Sequence, residues 1–235
     1  MAAGLIARYD LSQQIAGFDF FHWLLYVQST RATEIVLDTQ HIKTSKWDLA
    51  TTQRRVETII KPGPALAGLP CRVGIDGHTI NGYLGALLKS ARDGNPIKRL
   101  RSVLPPGNAR YTVTIRNTQR AAGRNSNEAA WRTFAAEIGA RVIEDYDVEP
   151  LGLHEVMALY AGAEMNFGVS NGPVTMGLLS EYPMMAFDFQ KSAKAIERQS
   201  GMKFGQQLPW ATKDQFQVWE PDNLDVIMRH FEAWR

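Results

Sequence analysis

Arg116, Arg120 and Arg124 crowd into the stretch YTVTIRNTQRAAGRNSNEAAWRTF, residues 111–134. A guanidinium presents a planar fork of donors that matches phosphate oxygens, so arginines in this density suit a phosphate or pyrophosphate ligand. A second group, Ser170-Asn171-Gly172-Pro173, brings side chains that cap a helix or bond a ligand, a glycine that lets backbone approach closely, and a proline suited to a first helical turn. The elements around both groups would put them at strand ends. Residues 111–115 alternate in a β-rich composition, and Arg116 stands where that strand should stop. The helix that follows has Trp131, Phe134, Ala135 and Ile138 at i, i+3, i+4 and i+7. Asn125 or Ser126 is its expected cap, with Glu128 placed as in a capping box. Ligands of open α/β sheets bind beyond the carboxyl ends of the strands, where helix N-termini offer N–H groups to anions. The same residues also read as an ordinary βα unit whose arginines are solvated or pair with Asp145 and Asp147, and the stretch alone leaves both readings open.

The rest of the chain supplies strands and helices in alternation. Residues 5–9 (LIARY) form a strand that ends in Asp10, residues 18–28 a helix apolar nearly all round, and residues 33–37 a second strand that ends in Asp38, which is a βαβ opening. His22 belongs to the aromatic core of that first helix. A helix is expected over 48–60, with Arg54 and Arg55 on it, then a Pro- and Gly-rich break over 61–70 and a short strand over 71–75. Asp76-Gly77-His78 reads as a turn rather than an acid–base pair. A weak helix over 81–91 follows, and Pro105-Pro106-Gly107-Asn108 marks the boundary between two halves, 1–106 and 107–235. In the second half, residues 140–144 are a strand leading to Asp145, Asp147 and Glu149, acids that would suit a divalent metal or a ribose hydroxyl but read more plainly as solvated loop residues. A helix built on Leu153, Val156, Met157 and Tyr160 precedes the strand 164–169, and residues 183–187 form another strand followed by Asp188. Over 190–219 the pattern fades. Lys191, Lys194 and Arg198 make a solvated basic face there, Trp210 and Trp219 pack the loop, and an amphipathic helix on Leu224, Ile227, Met228 and Phe231 ends the chain.

Composition narrows the function classes. The 235 residues are 45% hydrophobic and 21% charged, as in a globular protein, and the formal net charge of +2 is too small to argue for nucleic-acid binding. A single cysteine, Cys71, excludes an intrachain disulfide and a multi-cysteine zinc site. No apolar run approaches the ~20 residues that cross a bilayer, and the start of the sequence lacks signal-peptide order, so a cytoplasmic location is expected. No G-x-G-x-x-G follows the first strand and no G-x-S-x-G elbow occurs, which argues against dinucleotide-dependent oxidoreductases and serine hydrolases.

With these residues in view, the second half resembles the donor-binding half of GT-B-type nucleotide-sugar glycosyltransferases. VTIRN with its Arg-bearing loop resembles the strand-end arginine of the fucosyltransferase-like branch, and NFGVSNGP running into EYPMMAFDF resembles the strand, turn and helix of heptosyltransferase-like enzymes. The resemblance covers about residues 110–190. It differs at two places: Ser170-Asn171 stands where those turns carry Asp or His, and Asn117 stands where a second basic residue would follow the arginine. The resemblance implies an α/β protein of two Rossmann-like halves with mostly parallel sheets, a reduced GT-B-like arrangement closed by the C-terminal amphipathic helix. It further implies an acceptor side over 1–106 and a donor side over 107–235. Arg116, Asn117, Arg124, Asn125, Ser170, Asn171 and Gly172 would bind the donor and its phosphates, and Asp10, Asp19 and Asp76 are the candidates for the base. The implied substrates are a nucleoside diphosphate sugar and a glycan or small-molecule acceptor, with no cofactor and no divalent metal expected. The alternative is a non-catalytic nucleotide- or sugar-binding α/β protein.

Overall fold

Each half of the chain folds around its own parallel sheet. The computed structural model describes residues 5–44, 46–81, 83–119, 122–146, 152–192, 194, 197–198 and 201–235. The chain divides into two units, 1–103 and 104–235, so the division falls slightly before the Pro105–Pro106 break. Both are α/β with Rossmann-like crossovers, as expected from the alternation of elements.

In the first unit the strands are β1 (Leu5–Asp10), β2 (Ala32–Asp38), β3 (Cys71–Val73) and β4 (His78–Thr79), in the order β3-β2-β1-β4. The helix α1 (Asp19–Ser29) buries Phe20, Phe21, Trp23, Leu24, Leu25 and Val27. Burial all round fits its sequence, because one side packs on the sheet and another meets α4 (Leu84–Arg92). Between β2 and β3 run α2 (Leu49–Arg55), capped by Asp48 through the Thr51 N–H at 2.7 Å, a π-helical turn over Val56–Ile60, and α3 (Gly63–Leu66). The turn expected at Asp76-Gly77-His78 is correct only in part, because His78 begins β4. Gly77 has φ 92°, and a Cβ there would stand 3.0 Å from the Ile6 carbonyl oxygen, so a glycine lets this two-residue strand close on β1.

The second unit orders its strands β6-β5-β7-β8-β9, all parallel: β5 (Tyr111–Asn117), β6 (Arg141–Tyr146), β7 (Met165–Val169), β8 (Met184–Phe187) and β9 (Gln215–Gln217). Its helices are α5 (Glu128–Ile138), α6 (Leu153–Gly162), α7 (Gly172–Leu178) and α8 (Leu224–Trp234). Alternation along β5 gives the sheet two unlike faces. Tyr111, Val113 and Ile115 join Trp131, Phe134, Phe167, Ile227 and Phe231 in one apolar core under α5 and α8. On the other face Thr112 donates to Asn166 Oδ1 at 2.6 Å, and the Thr114 and Tyr160 hydroxyls share a 2.7 Å hydrogen bond. The Asn166 amide donates in turn to the Tyr160 and Pro183 carbonyls. These polar side chains are buried and bonded to one another, as a polar interior requires.

The strand β9 was not visible in the sequence because QFQ is polar. Gln215 is buried only because its amide donates to the carbonyls of Gly177, Ser180 and Tyr182.

Gly168 lies where β5, β7 and α7 meet. A Cβ there would come within 2.8 Å of Val174 Cγ2 and 2.9 Å of the Thr114 carbonyl oxygen. Gly168→Ala should therefore cost ~2 kcal/mol through overpacking, read as a lowered denaturant midpoint. An unchanged midpoint would show that this contact yields freely.

Candidate functional site

The strand order fixes where a ligand site can form. From β5 the chain crosses to β6 on one side, and the next strand, β7, returns to the other side of β5. The connecting helices α5 and α6 lie on opposite faces, so the loops leaving β5 and β7 part beyond their carboxyl ends. Arg116 comes from one of these strands and Ser170 and Asn171 from the other.

Arg116 is a strand residue, since β5 runs two residues past the end expected at Ile115, and its side chain is only 9% exposed. Its Nη1 donates to Asn125 Oδ1 at 2.6 Å, and its backbone N–H donates to Ser126 Oγ at 2.9 Å while its carbonyl accepts from the Ser126 N–H. Asn125 also closes the turn on itself: its Oδ1 accepts from the Thr118 N–H and its Nδ2 donates to the Thr118 carbonyl. Asn117, exposed, donates to Glu128 Oε2 at 2.9 Å. Arg124 follows a short 3-10 turn (Ala122–Arg124) and donates from Nη2 to the Ser170 carbonyl at 3.0 Å, so the loop after β5 reaches the loop after β7. Arg120 lies outside the described residues.

The expected cap of α5 is corrected. Asn125 and Ser126 are spent on Arg116, and Asn127 is the N-cap, its side chain accepting from the Ala130 N–H. The Asn127 N–H itself donates to Asp222 Oδ2 at 2.6 Å, and the same oxygen accepts from Trp131 Nε1 at 2.9 Å. A protein carboxylate thus occupies the helix end that the sequence reading left open to an anion.

Asn171 caps α7 through the Val174 N–H at 2.9 Å and is 4% exposed. Because its Oδ1 is the acceptor in that bond, its Nδ2 is a buried donor with no hydrogen bond among the described residues. Gly172 is the first residue of α7. Asp188, just past β8, has φ 65°, a conformation Asp tolerates better than most residues, and forms an ion pair with Lys191. Lys191 also lies 3.9 Å from Asp222. Lys191, Lys194 and Arg198 are all exposed, as expected of a solvated face, but Lys191 also reaches the two acids. Sequence reading passed over Asp188 and Asp222 because one looked like a strand terminator and the other preceded a helix, and only the fold brings them to Lys191.

Among the first unit's candidates, Asp10 ends β1 at the point where β2 and β4 flank it on opposite sides. Its carboxylate accepts from Ser12 N and Oγ at 2.9 and 2.6 Å and from Gln13 Nε2 at 2.9 Å. Burial pushes its pKa up, but these bonds and the Arg8 charge outweigh it and hold the carboxyl below its usual range. Asp76 is exposed and engaged by Arg72, which lowers it to about 2. Asp19, also exposed, begins α1. Burial holds the pKa of His22 down, so its imidazole is neutral. Asp145 lies in β6, and Asp147 and Glu149 are outside the described residues. Among the described residues no group of three or more His, Cys, Asp or Glu side chains is placed to hold a metal ion.

No protein-family model matches the chain, and no curated protein does. Solved structures that resemble it include two of one protein. One is the bacterial iron-containing dodecameric glycosyltransferase TibC from enterotoxigenic E. coli H10407, with 12% identity over 78% of this chain and 57% of that one and a TM-score of 0.41. The other is the dodecameric iron-containing heptosyltransferase TibC in complex with ADP-D-beta-D-heptose, with 11% identity over 91% and 62% and a TM-score of 0.48. The chain thus spans less than two thirds of either.

Burial raises the Asp188 pKa more than Lys191 lowers it, and Asp222 adds to the rise. A carboxyl whose folded pKa lies above its unfolded value contributes its full stability at low pH and loses it as pH rises through the folded value. Asp188→Asn keeps the shape and tolerates the left-handed backbone. Its thermal midpoint should therefore gain on that of the parent as pH rises from about 4 to about 7. A constant difference would show that Lys191 cancels the burial cost.

Proposed function

We propose that the second unit binds a nucleoside diphosphate sugar and that the protein is a glycosyltransferase acting on a hydroxyl acceptor. The observation that carries this reading is the bond from Arg124 to Ser170, which brings the loop that leaves β5 beside Arg116 to the loop after β7 where the strand order reverses. Arg116 supplies a buried guanidinium that donates to Asn125 Oδ1, and Arg124 an exposed one that donates to the Ser170 carbonyl. Such a pair suits a pyrophosphate.

The chemistry follows from that placement. An acceptor oxygen bonds to the anomeric carbon as the bond from that carbon to the diphosphate breaks. The electron pair leaves on the diphosphate, where the guanidiniums stabilise it. The hydroxyl proton passes to a base. The saturation of Asp10 by its own turn favours the second reading, a protein that binds a nucleotide or sugar without turnover, and product formation by purified protein separates the two.

A nucleoside diphosphate at about a hundred times its dissociation constant should stabilise the protein by ~2.7 kcal/mol, seen as a raised thermal midpoint. Arg124→Ala, at an exposed position, should keep the fold and lose most of that rise, and Arg116→Ala should lose most of it as well. If no nucleoside diphosphate moves the midpoint, the reading is wrong.

A further inference from the structure

We infer that Asp222 is a positioning residue for the phosphate-binding turn, acting on Arg116 through Asn127, Ser126 and Asn125; the inference rests on the donor-site reading. Asp222 is 4% exposed and lies 95 residues along the chain from Asn127 and 91 from Trp131, yet one of its oxygens takes a hydrogen bond from each. Those bonds fix the backbone of Asn127 and the indole beneath it. The two residues immediately before Asn127 hold Arg116: Ser126 bonds both its N–H and its carbonyl, and Asn125 takes its Nη1. Arg124, one residue earlier, reaches Ser170. A carboxylate anchored before α8 thus sets the stretch from which both guanidiniums take their direction.

The anchor is itself held in place. Asp222 Oδ1 faces Lys191 at 3.9 Å, and Lys191 pairs with Asp188 at the end of β8. Asn223, the next residue, caps α8 by accepting from the Val226 N–H at 2.9 Å. The position of the turn after β5 therefore depends on β8 and α8 as well as on its own helix. A plain helix cap would stabilise α5 and leave Arg116 indifferent to it, and this difference can be measured.

Dissociation constants for a nucleoside diphosphate and for the matching nucleoside are measured for the parent, Asp222→Ala, Asp222→Asn, Arg116→Ala and the double variant Asp222→Ala/Arg116→Ala. Asp222→Ala should weaken the diphosphate about tenfold, as expected for a misplaced charged contact, and leave the nucleoside within twofold. Asp222→Asn, whose carbonyl oxygen can accept both hydrogen bonds, should restore the diphosphate. In the Arg116→Ala background Asp222→Ala should have a smaller effect than in the parent, the remainder passing through Arg124, because a residue that acts through another cannot act fully without it. In the unliganded protein, Asp222→Ala should speed amide exchange at Arg124, Asn125 and Ser126 and leave β7 unchanged. Diphosphate affinity within twofold of the parent, an equal loss in the Arg116→Ala background, or unchanged exchange would each overturn the inference and leave the donor site standing. A parent protein that binds no nucleoside diphosphate overturns the donor site, and with it any role for Asp222 there.

Discussion

A guanidinium that is 9% exposed at the end of a parallel strand is the feature on which the second unit turns. Burying such a charge is costly unless neighbours bond it, and Arg116 gains Asn125 and Ser126 as partners because the next ten residues fold back over its own strand. The rest of that strand prepares the position. One face of β5 is apolar and anchors it on Phe134, Phe167 and Phe231. The other carries Thr112 and Thr114, bonded to Asn166 and Tyr160, so the polar row runs along the strand until it meets Arg116 at the carboxyl edge. A core polar on one side and apolar on the other is what lets a charged side chain end the row without breaking the sheet.

The two units show the same device with opposite charge. Each sheet reverses its strand order beside its first strand, and a charged residue lies at that strand's carboxyl edge, Arg116 one residue before the end of β5 and Asp10 at the end of β1. Asp10 is stabilised as an anion by donors from its own turn, much as Arg116 is held by acceptors from its own.

What the sequence made legible is what local periodicity encodes. The alternation in β5, the spacing of Trp131, Phe134, Ala135 and Ile138, and the strand-turn-helix at 165–178 all reappear in the structure. The short strands β4 and β9 did not show, since two or three residues carry no period, and Gln215 is buried by bonds to distant carbonyls rather than by hydrophobicity. The cap of α5 was misplaced because Asn125, Ser126 and Asn127 are chemically equivalent caps, and only the demand of Arg116 for partners decides among them. Asp222 was out of reach for the same reason, as its role comes from a contact between distant parts of the chain. That Arg124 meets Ser170 follows from strand order, which no spacing in the sequence records.

The most direct measurement is the structure of the protein crystallised with a nucleoside diphosphate. The account predicts phosphate oxygens about 3 Å from the guanidinium nitrogens of Arg116 and Arg124, with the nucleotide lying across the ends of β5 and β7. A nucleotide bound elsewhere on the chain, with that edge unchanged, would contradict it.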